Sequence, residues 1–315
     1  MDQALIEQIK QTLSQHGYEY IRLLGKGSFS VVFLCQSKKY NLQFAVKRSN
    51  NHKLTQFEYD SLVAVSHPHI IQLYDAFDDE DAHYLAMEYC QNGTIRQTLP
   101  LSNDKFIYYA KQLLEALAYC HKNNIAHRDI KPDNIFLDRY NQIKLADFGL
   151  AKQFNHYKKS TEKVGSLIFL APEILHYYEV DPFKADIWAL GITFFVMITG
   201  KYPYQGKSRE DLKSAILFSE IDYSSFAIDP MIQFLISKMT TKSIKSRPTA
   251  EKLLQLPLFF STISRRTSLI IIDPKSRKTY TTGFSKTCFS DDDEDIKKQM
   301  PSSDILSYRN ININP

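Results

Sequence analysis

The apolar positions of this chain change period along its length. Between Asp2 and His16 they recur every four residues, at Leu5, Ile9 and Leu13, and Gly17 follows. That spacing predicts a short amphipathic helix, which either packs on the strands after it or serves dimerisation or docking. Tyr20 to Lys47 is rich in β-branched and aromatic residues around turn material at Lys38–Asn41, and predicts three antiparallel strands. Lys53–Ser66 reads as a helix. Ile70–Phe77 and His83–Tyr89 read as two further strands joined by the acidic turn Asp78–Asp81. Beyond Ile95 the helical period takes over, at Phe106–Asn123, Arg209–Phe218, Pro230–Met239 and Ala250–Leu256. The apolar run Ile187–Ile198 predicts a helix buried in that second region. At about 1.5 Å per residue it is too short to span a bilayer.

After Phe260 the pattern is lost. A basic, hydroxylated stretch (Ser264–Ser268), a short apolar run (Leu269–Ile272), an acidic block (Asp291–Asp295) and a polar end predict a tail without stable structure over most of its length. The implied organisation is α+β. It comprises a helical extension (1–17), a main domain (18–260) and a regulatory tail (261–315). The main domain divides into a strand-rich part (18–88), a connection (88–93) and a helical part (94–260).

Composition narrows the function. The 315 residues, 43% of them hydrophobic, suffice for a full core. A net charge of +4 is too mild to argue for nucleic acid as a partner. Four cysteines without paired or metal-ligand spacing, and no visible secretory signal, point to reduced thiols in the cytoplasm, with the nucleus as an alternative. Glycine is scarce, with 10 in the chain, yet Gly25, Gly27, Gly149, Gly165 and Gly191 all fall within or beside short motifs.

Those motifs occur in a fixed order: Gly25-Lys26-Gly27-Ser28-Phe29-Ser30-Val31-Val32, Ala45-Val46-Lys47, His127-Arg128-Asp129, Asp147-Phe148-Gly149 and Ala171-Pro172-Glu173. Each alone is a weak signal. In this order, from about Tyr18 to Phe260, they resemble a eukaryotic Ser/Thr protein kinase, loosely of the calcium/calmodulin-dependent-kinase-like group. The resemblance implies a bilobal fold, a small five-stranded antiparallel lobe with one main helix above a larger, mostly helical lobe. It implies Mg-ATP as phosphoryl donor and protein Ser or Thr hydroxyls as acceptors. A pseudokinase scaffold that binds nucleotide without catalysis is the alternative.

By the same resemblance, Gly25, Lys26, Gly27, Ser28 and Phe29 form the loop over the phosphates, with Ser30 where a third glycine is usual. Val32 and Ala45 roof the adenine, Met87 borders its back, Glu88 and Cys90 offer backbone groups to it, and Phe136 is its floor. Lys47 is expected on the α- and β-phosphates, held by Glu58 on the helix. The Lys47–Glu58 interval is short, so that helix is expected to lack a turn at its start. Asp129 is the expected base, Lys131 the cation on the moving phosphoryl group, and Asn134 and Asp147 the ligands of magnesium, a hard cation suited to their oxygens. His127 and Phe148 are expected to stack with Leu62 and Leu73. Glu173 is expected to pair with Arg247, and Asp186 and Trp188 to anchor the large lobe.

The substrate and its control leave fewer marks. Ser166 retains a hydroxyl for Asp129 and Lys131, whereas Phe169 replaces a usual tyrosine. Thr94 stands where basophilic relatives hold a glutamate, which leaves Asp133 to contact one basic residue. By the same resemblance, lysine at position 131 marks the Ser/Thr-specific branch, and Leu150 tilts the choice toward serine. Arg128 implies an ordering acidic group. Either Glu162 supplies a permanent charge to Arg128 and Lys152, or an upstream kinase modifies Ser160 or Thr161. Ser268 and Ser290 in the tail have the surroundings of kinase targets.

Overall fold

The computed structural model describes residues 3–27, 30–153, 166–176, 180–260, 271–272 and 279–280. Two compact units divide the chain, Met1–Phe259 and Phe260–Pro315. In the second, β10 (Ile271–Ile272) and β11 (Thr279–Tyr280) pair antiparallel.

The first unit begins with α1 (Gln3–Gln15) and an antiparallel sheet of β1 (Tyr18–Lys26), β2 (Ser30–Ser37), β3 (Gln43–Ser49), β4 (Leu73–Asp78) and β5 (His83–Glu88), ordered β1-β2-β3-β5-β4. The four-residue repeat of α1 places Ile9 and Leu13 against the sheet, among Tyr18, Phe33, Phe44 and Tyr84. Both are buried, each contributing about 1.5–3 kcal/mol over exposure. The helix thus packs on the small lobe. Between β3 and β4 lies α2 (His52–Ala64), capped by Asn51, whose side chain accepts from the Leu54 N–H. Its start is pinned to the sheet through His52, which meets His83 of β5, itself paired with Asp78.

β4 begins at Leu73, three residues later than the apolar run predicts. Ile70 and Ile71 are spent differently. The Ile71 N–H donates to Leu145 O at 2.9 Å, and the Leu145 N–H to His69 O at 2.9 Å. Their apolar character reflects burial between the lobes, not membership of the sheet.

The large lobe is built on α3 (Asn103–Lys122), α5 (Pro182–Thr199), α6 (Arg209–Phe218), α7 (Pro230–Met239) and α8 (Ala250–Leu254), with the short α4 (Pro172–His176). α5 passes through the core with Trp188, Leu190, Phe194 and Met197 fully enclosed. It is long and apolar enough to cross a membrane by composition, but its surface is mostly buried inside the lobe. Asp181 caps it, Pro182 opens it and Gly200 (φ 71°) ends it. Three short pairings complete the lobe: β6 (Ile125–Ala126) with β9 (Lys152–Gln153), and β7 (Ile135–Leu137) with β8 (Ile143–Leu145), and a single bridge from Thr94 to Phe136.

Candidate active site

The sheet, α2 and the loops around β6–β9 bring the motif residues to one cleft. Lys47 lies on β3 opposite Val32 of β2 and Leu85 of β5. Its Nζ donates to both carboxylate oxygens of Glu58, at 2.9 and 2.7 Å, and to Asp147 Oδ1 at 3.0 Å. The short connection between β3 and α2 therefore still delivers Glu58, because His52 starts the helix soon after the strand ends. Asp60, two residues on, faces away and accepts from Gln56.

One ammonium serves two carboxylates here, and the electrostatics reflect it. Burial alone would lower Lys47, but Glu58 and Asp147 outweigh it and hold the ammonium above its ordinary value. Burial would raise Asp147, but Lys47 prevails and keeps it below the usual carboxylate range. Glu58 is wholly enclosed; burial, with Asp147 nearby, pushes it up against the pull of Lys47.

Asp129 follows a turn in which Arg128 adopts φ 70°, and Asp147 itself has φ 63°. Both are left-handed conformations that cost a side-chain-bearing residue on the order of 1–3 kcal/mol and persist where surroundings over-determine them. At Arg128 the constraint is visible. Asp186, buried in α5, accepts the backbone N–H groups of His127 and Arg128 at 2.8 Å each and faces His121 Nε2 at 3.0 Å. His127 sits 3.0 Å from Ala146 O and accepts the Asp129 N–H on Nδ1 at 3.3 Å, which assigns its proton to Nε2. Its ring packs on Phe148, centroids 4.6 Å apart, and Phe148 is buried with Leu62 and Leu73.

The Asp129 carboxylate is held unevenly. Oδ2 receives Lys131 Nζ at 2.5 Å and Asn134 Nδ2 at 3.0 Å, whereas Oδ1 receives the Ser166 hydroxyl at 3.4 Å. Lys131 also donates to Ser166 at 3.1 Å. The less committed oxygen is the one suited to accept from an incoming hydroxyl. Asn134 spends its amide nitrogen on Asp129, which leaves Oδ1 as its donor toward a cation, and Asp147 retains Oδ2. No group of three or more His, Cys, Asp or Glu that could hold a metal occurs among the described residues. Two hard oxygen donors do fit magnesium, which is commonly held by few protein oxygens and completed by substrate phosphates and water.

Facing this chemistry, Ala45 pairs with Met87 across the sheet, and Met87 and Cys90 are buried. Phe136 packs in the same apolar cluster. Gly25 and Gly27 flank Lys26 at the end of β1, and a Cβ on Gly25 would meet nothing within 4 Å among the described residues. Ser28 and Phe29 lie outside the described residues, as do Ser160, Thr161, Glu162, Gly165, Ser268 and Ser290.

Three features are not deducible from motif order. The side chain of Glu88 is locked by the Gln72 N–H at 2.9 Å and by Lys144 at 2.9 Å, fixing the strand that leads into the connection. Gly93 has φ 70°, a conformation strained for any residue with a side chain, so its glycine is required by conformation. Arg96 lies 3.3 Å from Asp133. Below the cleft, Arg247 grips Glu173 through two bonds, 2.6 and 3.1 Å, both side chains fully enclosed.

Residues 18–259 match the family model described as protein kinase domain. Calcium/calmodulin-dependent protein kinase type II of Caenorhabditis briggsae is 32% identical over 259 residues, covering 76% of this chain and 48% of that protein. Mouse sperm motility kinase Z is 31% identical over 255 residues, 79% and 49% respectively. Human ribosomal protein S6 kinase alpha-3 is 31% identical over 265 residues, 78% and 36%. The chain thus spans about half or less of the length of these curated relatives.

Proposed function

Because the chain belongs to the protein kinase family, among relatives of the Ser/Thr class, we propose that it transfers the γ-phosphoryl group of Mg-ATP to serine or threonine hydroxyls of proteins. The observation that carries this reading is the lysine of β3 bonded at once to Glu58 and Asp147, in the cleft that also holds Asp129. A scaffold that only bound nucleotide would need neither the uneven Asp129 carboxylate nor Lys131 beside it.

In this reading Lys47 binds the donor's α- and β-phosphates, and Glu58 keeps the ammonium aimed. The acceptor hydroxyl approaches Asp129 Oδ1 and gives its proton to that carboxylate. A bond forms between the acceptor oxygen and the γ-phosphorus while the bridging β–γ P–O bond breaks, and ADP leaves. Lys131 neutralises charge on the moving group. Asn134 and Asp147 would hold magnesium, which supplies charge neutralisation on the phosphates when bound. Ser166 keeps Lys131 and Asp129 in register. An upstream kinase acting on Ser160, Thr161 or Ser268, or a permanent charge at Glu162, remains part of the proposal for how activity is set.

Purified protein incubated with labelled ATP, magnesium and a degenerate peptide library should label Ser- and Thr-containing peptides. Asp147→Asn should lower that incorporation about 10²–10³-fold. Absence of incorporation by wild type, or an undiminished Asp147→Asn variant, overturns the assignment.

A further inference from the structure

A second ionic group stands at the mouth of the cleft, apart from the Lys47 trio. Arg96 belongs to the turn Ile95–Thr98 just past the connection between lobes. Its Nε lies 3.3 Å from Asp133 Oδ1, its Nη2 donates to the Tyr202 hydroxyl at 2.6 Å, and its guanidinium carbon is 5.6 Å from the Tyr202 ring centroid. Asp133 is in the turn Pro132–Asn134, whose Asn134 bonds Asp129. Tyr202 meets Phe169 edge-on with centroids 6.1 Å apart, and Phe169 closes the turn that follows Ser166. These contacts trace a rim from Asp129 through Asp133, Arg96 and Tyr202 back to Ser166. A polypeptide whose hydroxyl reaches Asp129 comes up beside this rim, since Asp133 is the neighbour of Asn134, which bonds Asp129. The Arg96 and Asp133 side chains are 39% and 49% exposed, so a substrate side chain has access to both.

We propose that Arg96 sets the charge preference of this rim, so that the protein selects acceptor segments with an acidic side chain beside the Ser or Thr and discriminates against arginine or lysine there. The proposal rests on the protein-kinase reading above. Asp133 alone would offer its carboxylate to a basic substrate residue. With Arg96 beside it the pair is neutral. Such an exposed pair is weakly held, so an incoming cation separates it easily, but the guanidinium stays nearby on Tyr202 and repels the newcomer. An incoming carboxylate meets the opposite situation: it can take over from Asp133 the guanidinium N–H that this weak pair holds, while Tyr202 keeps the group in place.

The test is kcat/KM for peptides identical except for Glu, Ala or Arg placed in turn at each position flanking the acceptor. Wild type should rank Glu first and Arg last at the responsive position, with a spread of about fivefold. Arg96→Ala should reverse the order by exposing Asp133. Asp133→Asn should deepen the penalty on Arg. Opposite shifts from adjacent residues do not arise from general loosening, and Asp133→Asn decides alone if the other variant fails to fold. Arg preferred by wild type, or a ratio unmoved in both variants, overturns the charge assignment while leaving the kinase reading intact. Wild type that labels no peptide overturns that reading itself, and this proposal with it.

Discussion

Two ionic clusters among the described residues, one in the cleft and one in the large lobe, are built from the same chemistry and supplied in opposite measure. In the cleft, one ammonium faces two carboxylates, Glu58 at 3% side-chain exposure and Asp147 at 45%. In the large lobe, one guanidinium faces one carboxylate, Glu173, and is further satisfied by the carbonyls of Lys184 at 2.7 Å and Thr241 at 3.2 Å, with the Trp188 ring 5.2 Å from its carbon. The lower cluster is matched in charge, one guanidinium to one carboxylate, and is closed to solvent. The upper one is short of positive charge and partly open, which is the condition for recruiting a divalent cation and a polyphosphate. Burial of charge therefore serves architecture where it is matched and reactivity where it is not.

The largest effect that would break this contrast is at the lower cluster. Arg247→Ala strands the Glu173 carboxylate in the core and should cost about 3–5 kcal/mol in chemical denaturation. Replacing both partners by methionine should recover most of that; a double variant as unstable as the single one would mean that the pair is not self-contained. At the upper cluster the expected pattern is inverted. Glu58→Gln should lower kcat/KM about a hundredfold by releasing the lysine, yet leave the protein at least as stable as wild type at neutral pH. Glu58 is raised in the fold, so its contribution to stability is full below its unfolded pKa and is lost as pH rises through the folded one. The advantage of the variant should accordingly shrink as pH falls toward the ordinary glutamate range, read as melting temperature against pH. A variant less stable than wild type at neutral pH would show the upper cluster to be as well matched as the lower. The smallest effect is at the edge of the reactive group: Ser166→Ala removes the shared hydroxyl and should reduce kcat/KM about three- to tenfold, with the denaturation midpoint unchanged.

Much of this arrangement is legible in the sequence. The four-residue repeat in Gln3–Gln15, the extended period of the first strands and the helix bounds Arg209–Phe218 and Pro230–Met239 follow from local physics, because each buries one regular face. The Lys47–Glu58 pair follows from motif order. What escaped was non-local or very short. β7 and β8 have three residues each, too few to carry a period. Ile70 and Ile71 look like strand residues because burial between lobes demands the same side chains as burial in a sheet. Arg96 with Asp133, and Glu88 with Lys144, are partners far apart in sequence, and nothing in the chain marks an exposed arginine as belonging to one aspartate and not another.

The seam of main-chain bonds joining His69 and Ile71 to Leu145 has a mechanical consequence. Leu145 stands two residues before Asp147, while Lys47 and Glu58 both ride on the upper half. A turn of the sheet and α2 about this seam would carry the lysine and its glutamate together and leave the aspartate behind. The gap between Lys47 Nζ and Asp147 Oδ1, 3.0 Å in the structure, is the distance that would register such a turn.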